Sequence, residues 1–151
     1  MTNSQRLADL GIELPAVVPP LAAYVPAKRF GELVFTSGQL PVRDGTLLAT
    51  GKVGADVTPT EAAGLARQCA LNALAAVDAL VGIDAVVSVV KVVGFVASAP
   101  GFNGQPGVIN GASELLGEIF GDAGSHARSA VGVSELPLDA PVEVELTVAV
   151  G

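Results

Sequence analysis

The chain has 151 residues, half of them hydrophobic, 15% charged and 4% aromatic, which fits one domain over residues 1–151 with an aliphatic core and argues against disorder. A net charge of −7, with the eight basic residues scattered and only Lys28 and Arg29 adjacent, leaves no basic stripe for nucleic acid. Cys69 is the only cysteine, which rules out an internal disulfide and a thiolate metal cluster.

Residues 1–20 form an extension with no basic-then-apolar leader layout, ending in Val17-Val18-Pro19-Pro20, where proline blocks regular structure. From Tyr24 to Arg29 the chain is extended, turns near Gly31 and continues through Leu33–Ser37 as a hairpin; Asp44-Gly45 marks a second turn. Thr58-Pro59-Thr60-Glu61 carries the signals of a helix start: a cap, a proline at the first helical position and an acid that can close a capping box. Leu65, Cys69, Ala73, Ala76, Val77 and Leu80 follow at helical spacing, and Gly82 is the stop. The Val86–Val96 run is β-branched on both alternating faces and is expected to be a strand covered on both sides. The longer apolar stretch around it, Ala85–Ala99, is too short to span a bilayer and is interrupted by Lys91. Ile109, Ala112, Leu116, Ile119 and Phe120 predict a second helix, stopped at Gly121.

Two strands close the chain, Ala127–Glu135 and Val142–Val150. In the last one Val142, Val144, Leu146, Val148 and Val150 share one face, and Glu143, Glu145, Thr147 and Ala149 the other. Strands, helix, strand, helix and two strands predict an α+β layer: a mixed sheet with two helices on one face. The mean hydropathy of +0.58 is high for a small monomer and points to a subunit interface that covers surplus apolar surface. Those features together lead to the expectation of a cytoplasmic protein.

Arg128 is the most informative single residue. Its strand face reads Arg128, Ala130, Gly132, Ser134, and small neighbours around a long cation leave room for a guest. A guanidinium pairs bidentately with a carboxylate, which suits a small organic acid, although the spacing also fits an arginine solvated or ion-paired at a strand end. Glu143 can orient a water or accept a proton, or simply share a solvated face with Glu145. Thr36-Ser37-Gly38-Gln39 can offer a backbone N–H to a ligand or be an ordinary strand-end turn. Tyr24 is the only tyrosine, with packing its default role, and Asn110 can cap the second helix or touch a ligand. His126, the only histidine, fits a turn position before the strand, and Cys69 a small buried hydrophobe. No phosphate-cradling glycine motif is present.

Five segments in order carry a family resemblance. These are Phe35-Thr36-Ser37-Gly38-Gln39-Leu40-Pro41, then Ala66-Arg67-Gln68 with Asn72, then Lys91-Val92 with Gly94-Phe95-Val96. Ala127-Arg128-Ser129 with Val131, Val133 and Leu136-Pro137 comes next, and Val142-Glu143-Val144-Glu145 last. From Tyr24 to Val150 the chain resembles the RidA/YjgF family. The resemblance implies a chorismate-mutase-like fold, a homotrimer with a cleft at each subunit boundary, and hydrolysis of 2-imino or 2-enamino acids to 2-keto acids and ammonia without metal or organic cofactor. It implies that Arg128 binds the substrate carboxylate and that Tyr24, Ser37, Gly38, Asn110 and Glu143 line the cleft, Glu143 near the attacking water. Ala130 stands where the family's deaminases commonly have cysteine, which removes thiol chemistry there but leaves the backbone able to bind a ligand. Ser98–Gly107 is longer than in compact members, and the N-terminal extension is unusual; both mark a divergent branch.

If Leu136–Pro141 closes a hairpin between the last two strands, Arg128 faces residue 149, and Glu143 lies roughly 20 Å away along the sheet. The two are then expected to serve one small ligand only from different chains. The expected function is imine deamination in such a cleft. The competing readings are a non-catalytic sensor of keto or amino acids and a ribonuclease, the latter disfavoured by the acidic charge.

Overall fold

The computed structural model describes residues 1–151. Strands β1 (Ala27–Phe30), β2 (Leu33–Thr36), β5 (Val86–Ala97), β6 (Ala127–Val133) and β7 (Val142–Val150) form one mixed sheet in the order β1-β2-β7-β5-β6. The short pair β3 (Val42–Arg43) and β4 (Thr46–Leu47) turns at Asp44-Gly45, both in the left-handed region. Helices α2 (Pro59–Val81) and α3 (Gln105–Phe120) pack on one face of the sheet, so the architecture is α+β with both long helices on the same side. No helix is long and apolar enough to cross a membrane.

α2 begins where its sequence says it should. The Thr58 hydroxyl accepts the Glu61 N–H at 3.1 Å and donates to the Glu61 carboxylate at 3.2 Å, so the acid answers the cap's hydroxyl rather than its backbone. Gly82, at φ 82°, ends the helix in a conformation that a side chain would strain. Ala62, Ala66, Cys69, Ala70, Ala73 and Ala76 make the buried face small, and small faces let backbones approach. At the crossing of the helices a Cβ on Gly111 would lie 2.7 Å from the Ala63 carbonyl carbon, so glycine is needed there. A cluster of 29 buried residues fills the space between the helices and one face of the sheet, with Leu74, Ile109, Leu115, Leu116 and Leu146 its largest fully buried members.

The structure corrects several expectations. β6 and β7 are not a hairpin: β5 lies between them, paired parallel with β6 and antiparallel with β7. Parallel pairing needs a crossover, and α3 supplies it between β5 and β6. β7, with five apolar residues on one face and no glycine or proline, then takes a central place between β2 and β5. The connection Pro137–Asp139 is a 3₁₀ turn with Leu138 and Asp139 at positive φ, which carries the chain past the end of β5 rather than back along β6. β6 accordingly stops at Val133, short of Glu135.

β5 is covered on one face only. Val86, Val89, Val92, Gly94 and Val96 are buried under the helices, while Val87 and Val90 are exposed beside two bulges. Within one chain nothing lies over the other face, where the β-branched residues match strand propensity. α3 starts four residues before Ile109, so Asn110 sits in its second turn and caps nothing. The N-terminal extension contains a helix that the prolines behind it obscured, α1 (Asn3–Asp9), closed by a Thr2–Gln5 capping box. Asn3 Nδ2 donates to the carbonyls of Ile83 and Val86 at 2.9 Å, and Ser4 donates twice to Asp84, which fastens α1 to the start of β5. The two bonds from Ser4, backbone first and then hydroxyl, hold the Asp84 carboxyl below its usual range.

Candidate functional site

Strand alternation divides the expected site residues between the two faces of the sheet. Arg128 is in register with Val92 and Val92 with Leu146, all on the face that carries the helices. Glu143 pairs with Phe95, and Phe95 with Val131, on the open face. Three residues and two strand spacings separate Arg128 from Glu143, roughly 14 Å between backbones, with side chains pointing to opposite sides. This replaces the 20 Å of the hairpin geometry, and the conclusion survives for a different reason: within one chain these groups do not meet around a small molecule.

Arg128 leans from β6 onto α3. Pro106, Asn110 and Ser113 lie one turn apart along the helix side that faces it. Nη1 donates to Asn110 Oδ1 at 2.8 Å and to Ser113 Oγ at 3.2 Å, and Nη2 makes a long contact of 3.4 Å with the Pro106 carbonyl. Every acceptor is neutral. The two ion pairs of the structure, Lys52–Glu135 and Arg67–Glu118, do not include it. Both protons of Nη1 are used, whereas Nε–H has no protein partner and Nη2 spends only one of its two protons, on that long contact. Nε and Nη2 form the side-on fork of a guanidinium, the edge that grips both oxygens of a carboxylate. Gly132 keeps that face shallow: a Cβ there would lie 2.7 Å from Gln105 Nε2. Ala130 is half-buried against the core, next to Gly94 in register, and contributes backbone and little volume.

Glu143 is the centre of the second group. It is half-buried, and burial first, then the charge of Glu145, raises its carboxyl above the usual range. Gly38 lies against it so closely that a Cβ would come within 2.8 Å of Glu143 Cδ. The Gly38 N–H makes no hydrogen bond within the chain, while its neighbours are tied down: Gln39 exchanges two backbone bonds with Val144, and the Ser37 hydroxyl donates to the Val25 carbonyl at 2.6 Å. Ser37 is therefore a brace for the segment before β1, and its hydroxyl proton is committed. Tyr24 and Gly38 line the same small apolar pocket, with Leu21, Leu40 and Leu138. The Tyr24 hydroxyl accepts the Leu21 N–H at 3.2 Å. Beneath Glu143, Cys69 is fully buried; desolvation, then the nearby carboxylate, pushes its thiol well up, which keeps it protonated.

Thus Arg128, Asn110 and Ala130 gather at β6 and α3, and Tyr24, Ser37, Gly38 and Glu143 at the ends of β2 and β7. Two further residues join the Arg128 group: Ser113, which the sequence did not single out, and His126, which it assigned to a turn. Ser113 holds Arg128, and His126 Nε2 lies 2.8 Å from Ser113 Oγ. Ser113, thirteen positions before His126 on an apolar helix, gives little signal by itself; only its place one turn after Asn110 could have suggested a shared face.

A mixed sheet with two helices on one side, an arginine fork held by neutral groups and a half-buried carboxylate over glycine describe a small α+β fold with polar groups on both faces of its sheet. Residues 4–149 match the family model described as "YjgF/chorismate_mutase-like, putative endoribonuclease", and the chain belongs to that family, also called RidA/YjgF. It is 45% identical over 145 residues to Protein TCP17 of Trypanosoma cruzi, covering 95% of this chain and 91% of that one. The crystal structure of Atu1372 from Agrobacterium tumefaciens superposes with a TM-score of 0.90 at 42% identity, covering 99% and 92% of the two chains. The structure of E. coli TdcF with bound serine superposes with a TM-score of 0.64 at 25% identity, covering 91% and 93%.

Proposed function

We propose that the protein is a homotrimeric deaminase that hydrolyses small 2-imino or 2-enamino acids to 2-keto acids and ammonia, in clefts between subunits. The observation that carries this reading is the Arg128 fork: a cation anchored on Nη1 by neutral groups, with Nε and Nη2 open to a carboxylate. In the cleft, Arg128 of one chain grips the carboxylate, and the unpaired Gly38 N–H of the neighbouring chain adds a donor. Glu143 of that neighbour orients a water at the C=N carbon. Its raised proton affinity suits a group that takes a proton from water and returns it to the leaving nitrogen. Positioning supplies most of the acceleration, because imines already hydrolyse in water.

Assembly from two chains is supported by the opposite-face placement of Arg128 and Glu143. The open face favours it too, since Phe35, at 44% exposure, and Val131, at 43%, lack a covering layer. The serine bound to E. coli TdcF supports a second reading, a sensor that holds an amino or keto acid without turning it over.

An assay that generates 2-iminopropanoate in situ, run beside calorimetry with 2-oxobutanoate, separates the two. Turnover that disappears in Arg128→Ala, with folding and oligomeric state kept, is the expected result. Binding without turnover selects the sensor, and undiminished turnover by Arg128→Ala overturns both. RNA cleavage that persists in Arg128→Ala through repurification would instead favour a ribonuclease.

A further inference from the structure

Next to the Arg128 fork is a hydrogen-bonded chain that reaches the only histidine. His126 Nδ1 lies 2.6 Å from the Gly124 carbonyl oxygen, and Nε2 lies 2.8 Å from Ser113 Oγ. A carbonyl oxygen only accepts, so Nδ1 must carry the proton of the neutral ring. Nε2 is then a lone pair, and the one group facing it is the Ser113 hydroxyl, which must donate. With its proton turned toward the imidazole, Ser113 Oγ directs its lone pairs elsewhere, and Arg128 Nη1 at 3.2 Å takes one of them. Each bond fixes the direction of the next.

The start of the chain is equally constrained. Gly124 closes the 3₁₀ turn Gly121–Gly124 and is buried; a Cβ there would lie 2.9 Å from the Leu116 carbonyl carbon. That contact presses the turn onto α3 and aims the Gly124 carbonyl at the ring. The imidazole is thereby clamped between a rigid turn and the helix that also carries Asn110.

We propose that Ser113 and His126 are positioning residues for Arg128, a relay from the Gly124 carbonyl that keeps Nη1 occupied by protein and so presents the Nε/Nη2 edge to the carboxylate of the ligand. The inference rests on the carboxylate-binding role given to Arg128 above, but its first test does not. Because the chain has a single histidine, nitrogen-15 correlation spectra report on His126 alone. At neutral pH they should show the proton on Nδ1, and a proton on Nε2 overturns the relay whatever the protein binds.

The second test reads affinity for 2-oxobutanoate by calorimetry. Ser113→Ala should weaken it about tenfold, the scale of one hydrogen bond to a charged group. His126→Asn, which keeps a donor near Nδ1 but loses the acceptor, should do the same. His126→Gln, whose amide oxygen can stand where Nε2 stood, should recover most of the loss. Combining Ser113→Ala with His126→Asn should cost no more than either alone, a pattern that two independent structural losses would not produce. Parent-like affinity in Ser113→Ala, with Arg128→Ala unable to bind, overturns the relay and spares the carboxylate reading. Parent-like affinity in Arg128→Ala overturns that reading, while the tautomer still decides the relay.

Discussion

Gly38→Ala should leave the fold almost untouched and remove most of the activity. The backbone of Gly38 is not in the left-handed region, so alanine meets no backbone strain, and the smaller freedom of the unfolded chain favours the variant by about 0.4–1 kcal/mol. Against this stands Glu143. The new Cβ would lie 2.8 Å from its Cδ and 3.1 Å from its Cγ, whereas ordinary contact begins at 3.4 Å. The carboxylate must swing away, and an off-rotamer side chain costs about 0.5–1.5 kcal/mol. The two effects nearly cancel, so stability should stay within about 1 kcal/mol and the melting temperature within about 4 °C of the parent. Glu143 Oε1 lies closer still to the new Cβ, so the carboxylate that orients the water is displaced by about an ångström or more, and misplacement of that order costs roughly a hundredfold in rate. Thermal melts and the 2-iminobutanoate assay on the same preparation test both halves. Full turnover, with a crystal structure showing the Cβ in place and Glu143 moved, would refute the role given to Glu143.

Two other substitutions probe the scaffold and the charge. Gly111→Ala places a Cβ 2.7 Å from the Ala63 carbonyl carbon, backbone that cannot turn aside, so α2 and α3 must separate; a loss of about 3 kcal/mol in urea unfolding is expected. Parent-like stability there would show that the crossing has slack. Glu143→Gln should stabilise the protein at neutral pH. The folded state raises this carboxyl above its ordinary 4.5, so the native chain binds the proton more tightly than the unfolded one. The resulting penalty is absent below the ordinary value and complete above the raised one. The advantage of glutamine should therefore shrink as pH falls toward 4.5, and unfolding curves at several pH values and one protein concentration will show it. A constant difference across that range would mean that Glu143 is not destabilised by burial.

The parts of the fold written locally were legible in the sequence. Thr58-Pro59 and Gly82 bracket α2 because capping and chain termination are decided within a turn of the residue concerned. The alternation of β7 fixed its buried face for the same reason. Strand order was not legible, because the pairing of β7 with β2 and β5 depends on partners far away in the sequence, from Val96 with Val142 to Leu33 with Ala149. Neighbouring strands pair in most folds, and that default misplaced β6. For the site, Arg128 stood out through its small strand neighbours, and Gly38 through the family resemblance of its segment. Ser113 and His126 did not, since a serine on a helix and a histidine in a turn acquire meaning only when β6 brings them together with Arg128.

The sheet itself explains why one chain should be insufficient. Residues on β6 that face the helices can be braced by α3, and Arg128 uses Asn110 and Ser113 in this way. Residues on the other face have no helix to brace them; Glu143 is held instead by a close approach to Gly38 and by the strand around it. A strand points neighbouring side chains in opposite directions, so precision of both kinds cannot converge within one sheet that is covered on a single side. A rotationally related copy, laying its Arg128 edge over the open face near Glu143, would resolve this while burying Phe35 and Val131. On that argument the uncovered face and the divided site have one cause, and a monomeric variant should lose turnover even with every site residue intact.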